Sequence, residues 1–243
     1  MARILVVQHD PTCPPALFGG WLQGAGCRLD VRHAYRGEEQ PTLRQYDGLL
    51  VLGGPMDADD DAGHPWLPRT RELIREAAAR GVPTLGICLG HQLAALALGG
   101  AVGRSEHGPR VGVLPVGWGC EVLLDPLVDR IAGDGRAIQW NQDVVTALPP
   151  RADVLATGPE GEIQAARLAS TVWGVQFHPE ADESLVATWA AHDDGTLTAL
   201  GLTADTVVAQ ARTAATELVD AWQPLAGSFA RMVRGRAAAN GTI

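Results

Sequence analysis

Lysine is missing from this chain of 243 residues, and all 19 of its basic residues are arginine. That absence excludes a P-loop lysine over nucleotide phosphates, a pyridoxal-phosphate Schiff base and any lysine nucleophile. ATP-driven chemistry that involved this chain would place the ATP on another one. Arginine-only usage beside abundant Ala and Gly also fits the composition of a GC-rich genome. Positive charge as a whole is short: against 28 acidic residues the formal net charge is −9. A basic face for nucleic acid or for an anionic membrane surface is not expected.

Cysteine is scarce too. Cys13, Cys27, Cys88 and Cys120 form no CxxC pair and no disulfide framework, which fits a reducing compartment. No apolar run approaches the ~18 residues of a membrane span, and no signal-peptide pattern precedes the apolar segment at Ile4. A soluble, cytoplasmic protein is the expectation.

What is present is ample apolar material, 46% of residues, in a length equivalent to about 1.6 domains of ~150 residues. Arg3–Gln8, Arg28–Val31, Asp47–Leu52 and Thr84–Ile87 read as strands, the apolar runs closed by turn residues. Ala16–Gly24, Arg69–Arg80 and Leu89–Leu98 read as helices between them, the second closed by Gly81 and Pro83. Buried strands alternating with helices predict an open, mostly parallel flavodoxin-like or Rossmann-like α/β sheet with helices on both faces. Val111–Trp118, Glu121–Leu124, Ala137–Trp140, Val154–Ala156, Ile163–Leu168 and Val172–Phe177 are strand-like with short connections, so antiparallel strands are added to that sheet. Beyond Pro179, Ala204, Val207, Val208, Ala211, Ala215, Leu218 and Trp222 recur at helical spacing. We expect a main unit over residues 1–190, a helical appendage over 191–243 packed on it, and fraying from about Arg234.

Gly86-Ile87-Cys88-Leu89-Gly90 lies where a strand meets a helix and is the cysteine version of the nucleophile elbow G-x-S-x-G. Small flanking residues permit a sharp turn, and the helix N-terminus beginning at Leu89 favours a thiolate. Taken alone, such a cysteine is as readily a buried core thiol. Phe177-His178-Pro179-Glu180 follows a strand; an extended segment would point His178 and Glu180 the same way, so the carboxylate could accept Nδ1–H and leave Nε2 for the thiol. Alone, a stabilising His–acid pair is the commoner explanation. Gly53-Gly54-Pro55 closes another strand, where an N–H unshielded by a side chain could approach an oxyanion, with the Leu89 N–H as a second donor. Three such features at strand carboxyl ends converge where ligands of open parallel sheets bind.

Together with Met56, Pro65-Trp66-Leu67 and His91-Gln92, these motifs resemble the class I, or triad, glutamine amidotransferases. The nearest likeness is to stand-alone members similar to the glutaminase domain of GMP synthase, over about residues 3 to 190. The resemblance implies attack by Cys88 on the glutamine side-chain amide, with His178 as base and then acid and Glu180 orienting it. It implies an oxyanion hole from Gly54 and Leu89, and glutamine binding by Gln92. A glutamyl thioester and free ammonia follow, and water releases glutamate. No cofactor and no metal are implied. The implied partners are L-glutamine and an ammonia-accepting synthetase subunit, with a homo-oligomer as a further option, no nucleic acid and no membrane.

Two departures stand out. Trp140-Asn141-Gln142-Asp143 occupies the place of the family's Trp-His-Gly-Asp, a loop that lines the glutamine pocket. Pro109-Arg110-Val111-Gly112-Val113 replaces Pro-Glu-Ile-Gly-Trp and reverses a charge. Asp57, Asp59, Asp60 and Asp61 with His64 lack EF-hand spacing and read as a solvated loop. His91, Trp118, Trp173, Trp189, Trp222, Cys13, Cys27 and Cys120 read as packing residues. Two other functions compete with glutamine hydrolysis: a γ-glutamyl peptidase using the same thiol, and a non-catalytic regulatory subunit of the same fold.

Overall fold

The computed structural model describes residues 1–119, 124–131, 135–193 and 195–241. Its centre is a nine-stranded sheet. β1 (Ala2–Gln8), β2 (Cys27–His33), β3 (Gly48–Val51), β4 (Thr84–Ile87) and β11 (Val172–Val175) pair in parallel, in the order β2-β1-β3-β4-β11. This is the flavodoxin-like order, counting β11 as the fifth strand, in which ligands bind beyond the carboxyl ends. Antiparallel strands β10 (Ile163–Ala169), β9 (Asp153–Thr157), β6 (Arg110–Trp118) and β7 (Gly135–Asn141) extend the sheet from β11.

The alternation of β1 explains the layering. Ile4 and Val6 enter one core cluster, Leu5 and Val7 the other, as successive strand side chains must. The first cluster lies under α1 (Ala16–Gly24), α4 (Glu183–Ala191), α6 (Ala204–Thr213) and α7 (Ala215–Asn240). The second lies under α2 (Leu67–Arg80) and α3 (Leu89–Ala97). α5 (Thr196–Ala199) is a single turn between α4 and α6. Among the described residues no helix is long and apolar enough to cross a membrane.

Several expectations change. The fraying expected from Arg234 does not occur: α7 continues to Asn240, Val233 is buried, and Arg236 donates to the Gly81 carbonyl at 2.9 Å. A Cβ on Gly48 would stand 2.6 Å from Val233 Cγ2, so α7 rests directly on the backbone of β3. The helical register after Pro179 is broken at Ala214, where the chain passes from α6 to α7 without exposing Ala211, Ala214 or Leu218. A two-stranded sheet of β5 (Ala101–Arg104) and β8 (Asp143–Ala147) was not read from the sequence. β5 is short and part-exposed with no alternation, so it carries no strand pattern. Cys120 and residues 121–123 of the strand expected at Glu121–Leu124 lie outside the described residues, and Leu124 itself is exposed and not in a strand.

Candidate active site

Cys88 joins β4 to α3 with φ +51° and ψ −107°, a backbone conformation that non-glycine residues rarely adopt. Such a residue costs of order 1–3 kcal/mol and persists only where its surroundings over-determine it. They do so here: Cys88 N donates to the Val175 carbonyl at 2.8 Å, and Gln92 N donates to the Cys88 carbonyl at 3.1 Å. Both flanking glycines are required sterically. A Cβ at Gly86 would strike the Gly90 backbone, and one at Gly90 the Val51 carbonyl. The turn leaves Sγ at the start of α3, whose first N–H groups have no intrahelical partner. Gln176 Nε2 donates to that sulfur at 3.5 Å, and the Trp140 carbonyl stands 4.0 Å from it.

His178 Nδ1 and Glu180 Oε1 are 2.7 Å apart, both residues almost wholly buried. The route differs from the extended one expected. β11 ends at Val175, and the chain turns after His178, with Ala181 N donating to its carbonyl at 3.3 Å. Pro179 serves that turn. His178 is anchored instead through its own N–H, which donates to Ile138 O of β7 at 2.8 Å. Burial opposes a charged imidazole, but the Glu180 carboxylate and the Cys88 sulfur, which is also hydrogen-bonded to it, outweigh burial and push His178 up to about 10. The Trp189 ring packs on the imidazole at 4.6 Å between centroids.

Gly53 separates nucleophile and histidine. A Cβ there would lie 3.2 Å from His178 Cε1 and 3.6 Å from Cys88 Cβ. At Gly54 it would lie 2.9 Å from Leu89 Cδ2 and 3.1 Å from His9 Cβ, so the structure brings Gly54 and Leu89 together beside the sulfur. His9 was not singled out in the sequence. It is fully buried beneath this turn, its Nδ1 accepts Trp66 Nε1–H at 3.1 Å, and burial holds it neutral, down to about 3.

These residues open on a cavity of about 670 Å³. Gln92, Asn141 and Gln142 all line it, in different ways. Gln92 directs its amide nitrogen at Asp143 O (2.9 Å) and Gln176 Oε1 (3.3 Å). Asn141 is buried and donates to the same Asp143 carbonyl at 3.2 Å. Gln142 is exposed at the rim, where its amide bridges Thr196 Oγ1 (3.3 Å) and Arg104 (2.9 Å). Arg104 also pairs with Asp143 (3.2 Å) and Asp57 (3.4 Å). Burial pushes the Asp143 carboxyl up, Arg104 opposes this, and Asp57 and Asp59 add to it. Arg104, Gln176 and the cavity role of Trp189 had no local sequence signal, because each depends on contacts with distant segments.

The remaining candidates are accounted for by packing and pairing. Asp60 holds Gly63 N and His64, Asp61 pairs with Arg71, and among the described residues no metal-competent cluster forms. Arg110 is a mostly buried cation held by Glu160 and by Glu162 (3.0 Å). His91 is buried against Gly174, where any Cβ would strike its ring. Trp173 and Trp222 are core residues, and Cys13 is a buried thiol in the cavity wall.

The glutamine amidotransferase class-I family model matches residues 22–188. The chain belongs to the class I glutamine amidotransferases. This amidotransferase is 39% identical over 137 residues to a glutamine-hydrolysing GMP synthase of Aeropyrum pernix, covering 55% of this chain and 24% of that protein. It is 28% identical over 174 residues to γ-glutamyl peptidase 4 of Arabidopsis thaliana, covering 70% of this chain and 68% of that one. A crystal structure of a glutamine amidotransferase from Thermotoga maritima superposes with a TM-score of 0.83 at 25% identity, covering 96% and 98% of the two chains.

Proposed function

We propose that this amidotransferase hydrolyses the side-chain amide of glutamine through Cys88, His178 and Glu180, releasing ammonia. The observation that carries the reading is the strained cysteine elbow with its sulfur beside a buried His178–Glu180 pair at 2.7 Å, at the wall of an open cavity. A buried thiol placed only for packing needs neither the strain nor the pair. With His178 favoured as imidazolium, the sulfur attacks the amide carbonyl and the oxyanion settles toward the Gly54 and Leu89 N–H groups. His178 then protonates the leaving nitrogen, and ammonia departs from a glutamyl thioester. Neutral His178 next takes a proton from water, hydroxide opens the thioester, and glutamate leaves. Glu180 orients the ring and stabilises its cation throughout.

Residues 1–190 form the amidotransferase unit in this reading, with 191–243 as its helical extension. A synthetase subunit that consumes the ammonia is the proposed partner, by analogy with the glutamine-hydrolysing GMP synthase. The similarity to γ-glutamyl peptidase 4 over most of the chain supports a second reading, the same hydrolysis on other γ-glutamyl amides. The test is release of ammonia and glutamate from L-glutamine, with labelling by a glutamine-analogue electrophile located by mass spectrometry. One adduct on Cys88 is expected; no adduct and no turnover of any γ-glutamyl amide overturns the proposal.

A further inference from the structure

Gln176 follows the last residue of β11 and is wholly buried. Its neighbours Val175 and Phe177 enter the core cluster under α1, α4, α6 and α7, whereas Gln176 meets Gln92 of α3 on the other side. The Gln176 N–H donates to Gln164 O at 2.8 Å, which fixes the backbone. From that position Nε2 donates to Cys88 Sγ at 3.5 Å, and Oε1 accepts Gln92 Nε2–H at 3.3 Å. One atom sets the direction of this relay. Gln92 Nε2 also donates to the Asp143 backbone carbonyl at 2.9 Å, so turning that amide over would set oxygen against oxygen. With Gln92 presenting N–H, Gln176 must offer it Oε1 and turn its own N–H to the sulfur. Cys88, Gln92 and His178 line the cavity, but Gln176 does not. It touches the nucleophile from behind the cavity wall and does not meet substrate.

We propose that Gln176 is a positioning residue for the nucleophile: its amide donor holds the Cys88 sulfur as a thiolate, and the Asp143 carbonyl, through Gln92, fixes the orientation of that donor. This rests on the hydrolytic reading above and deepens it. The other neighbours of the sulfur pull in two directions. His178 hydrogen-bonds to it and, as imidazolium, favours the anion. The Trp140 carbonyl, 4.0 Å away, can only accept and so favours S–H. Glu180 stands behind His178, and the Cys13 thiol, pushed up chiefly by burial, senses the sulfur through charge alone. Gln176 tips this balance toward the anion. Unlike His178, it keeps its protons through the whole cycle. A hydrogen bond strengthens when its acceptor is charged, so the contact contributes most before attack on the amide. It contributes again when hydroxide has added to the thioester and the sulfur leaves as thiolate.

The experiment follows alkylation of Cys88 by iodoacetamide across pH, read by mass spectrometry, in the wild type and in Gln176→Met. Methionine keeps the length of the side chain and removes the donor. The alkylation profile of the variant is expected to move about one pH unit toward alkaline, the size of a hydrogen bond to a charged group. Near neutral pH, kcat for glutamine is expected to fall about tenfold with KM little changed, because Gln176 does not reach substrate. A folded variant whose alkylation profile stays in place overturns the inference even if turnover falls, since a merely structural role lowers activity without moving the profile. The wild type supplies a second test, independent of whether the variant folds. By NMR of the isotope-labelled protein, the Gln176 side-chain amide proton is expected to move downfield as pH rises, with the midpoint of the alkylation profile. An amide signal that does not titrate with Cys88 overturns the inference. Both readouts report on the sulfur without turnover, so absence of turnover on every γ-glutamyl amide would overturn the hydrolytic reading alone.

Discussion

Glu180 reaches His178 across a turn, Oε1 lying 2.7 Å from Nδ1, with only Pro179 between the two and both buried. The pair therefore depends on the turn at Pro179 and on the anchoring of His178 N to Ile138 O. It follows that Glu180→Gln keeps the geometry and removes the charge.

Glu180→Gln is expected to lower kcat less than His178→Ala does, and to change the pH profile. Burial alone depresses the imidazolium, and the carboxylate is foremost among the influences that raise it to about 10. Acylation needs the cation, so the wild-type alkaline limb falls near pH 10, and the variant's limb moves toward or below the ordinary value of about 6.5. Its deficit must then be larger at pH 8 than at pH 6. A rate profile of unchanged shape would sink this account of Glu180.

Cys88→Ala is expected to remove at least ~10³-fold of glutamine turnover, as deletion of a nucleophile does. Cys27→Ala, on β2 and far from the cavity wall, is expected to keep most of it. Circular dichroism of both variants controls for folding; substantial turnover by Cys88→Ala refutes covalent catalysis.

The Asn141–Gln142 departure now divides unequally. Asn141 is buried in the cavity wall, while Gln142 is exposed and ties Arg104 to Thr196. Asn141→His is therefore expected to carry most of the change in KM for glutamine seen in an Asn141→His, Gln142→Gly double variant. A gained or lost buried hydrogen bond corresponds to roughly 1–3 kcal/mol, up to ~100-fold in KM. Identical KM values in wild type and both variants would show that neither side chain meets substrate.

His9 and His91 predict acid lability. Burial lowers His9 to about 3, helped by His64, and lowers His91 to about 4. Unfolding restores both toward about 6.5, so between those values the unfolded chain binds more protons and stability falls as pH falls. The full shifts correspond to roughly 5 kcal/mol for His9 and roughly 3 kcal/mol for His91. Urea unfolding at pH 7 and near pH 4.5 should show this loss, and His91→Leu should make the slope shallower. An unchanged slope in the variant would exclude His91 as a contributor.

The elbow and the His-Pro-Glu segment were legible because each is a local pattern whose steric logic lies within a few residues. Gly86 and Gly90 announce the turn at Cys88 without help from elsewhere. The cavity wall was not legible for the opposite reason. Trp189 holds Thr12 from 177 residues away, and Gln176 meets a cysteine 88 positions earlier. Asn141 was noticed as a departure, but its burial depends on β7 ending beside Cys88. The short β5, which pairs with β8 and carries Arg104, has too few buried positions to show a period. The extended path assumed for His178 failed because Pro179 fits a turn as well as a strand end, and only the neighbouring β7 decides between them.

The seat of α7 on β1 and β3 has a consequence for how the chain comes off the ribosome. Ile4 and Val6 emerge well before Phe229 and Val233, which belong to the same apolar cluster. At about 5–20 residues per second, roughly 11–45 s separate the two. Throughout that interval the Ile4 and Val6 face of β1 lacks the cover that Phe229 and Val233 give it, so slower translation lengthens the time its apolar side chains stay open to other contacts.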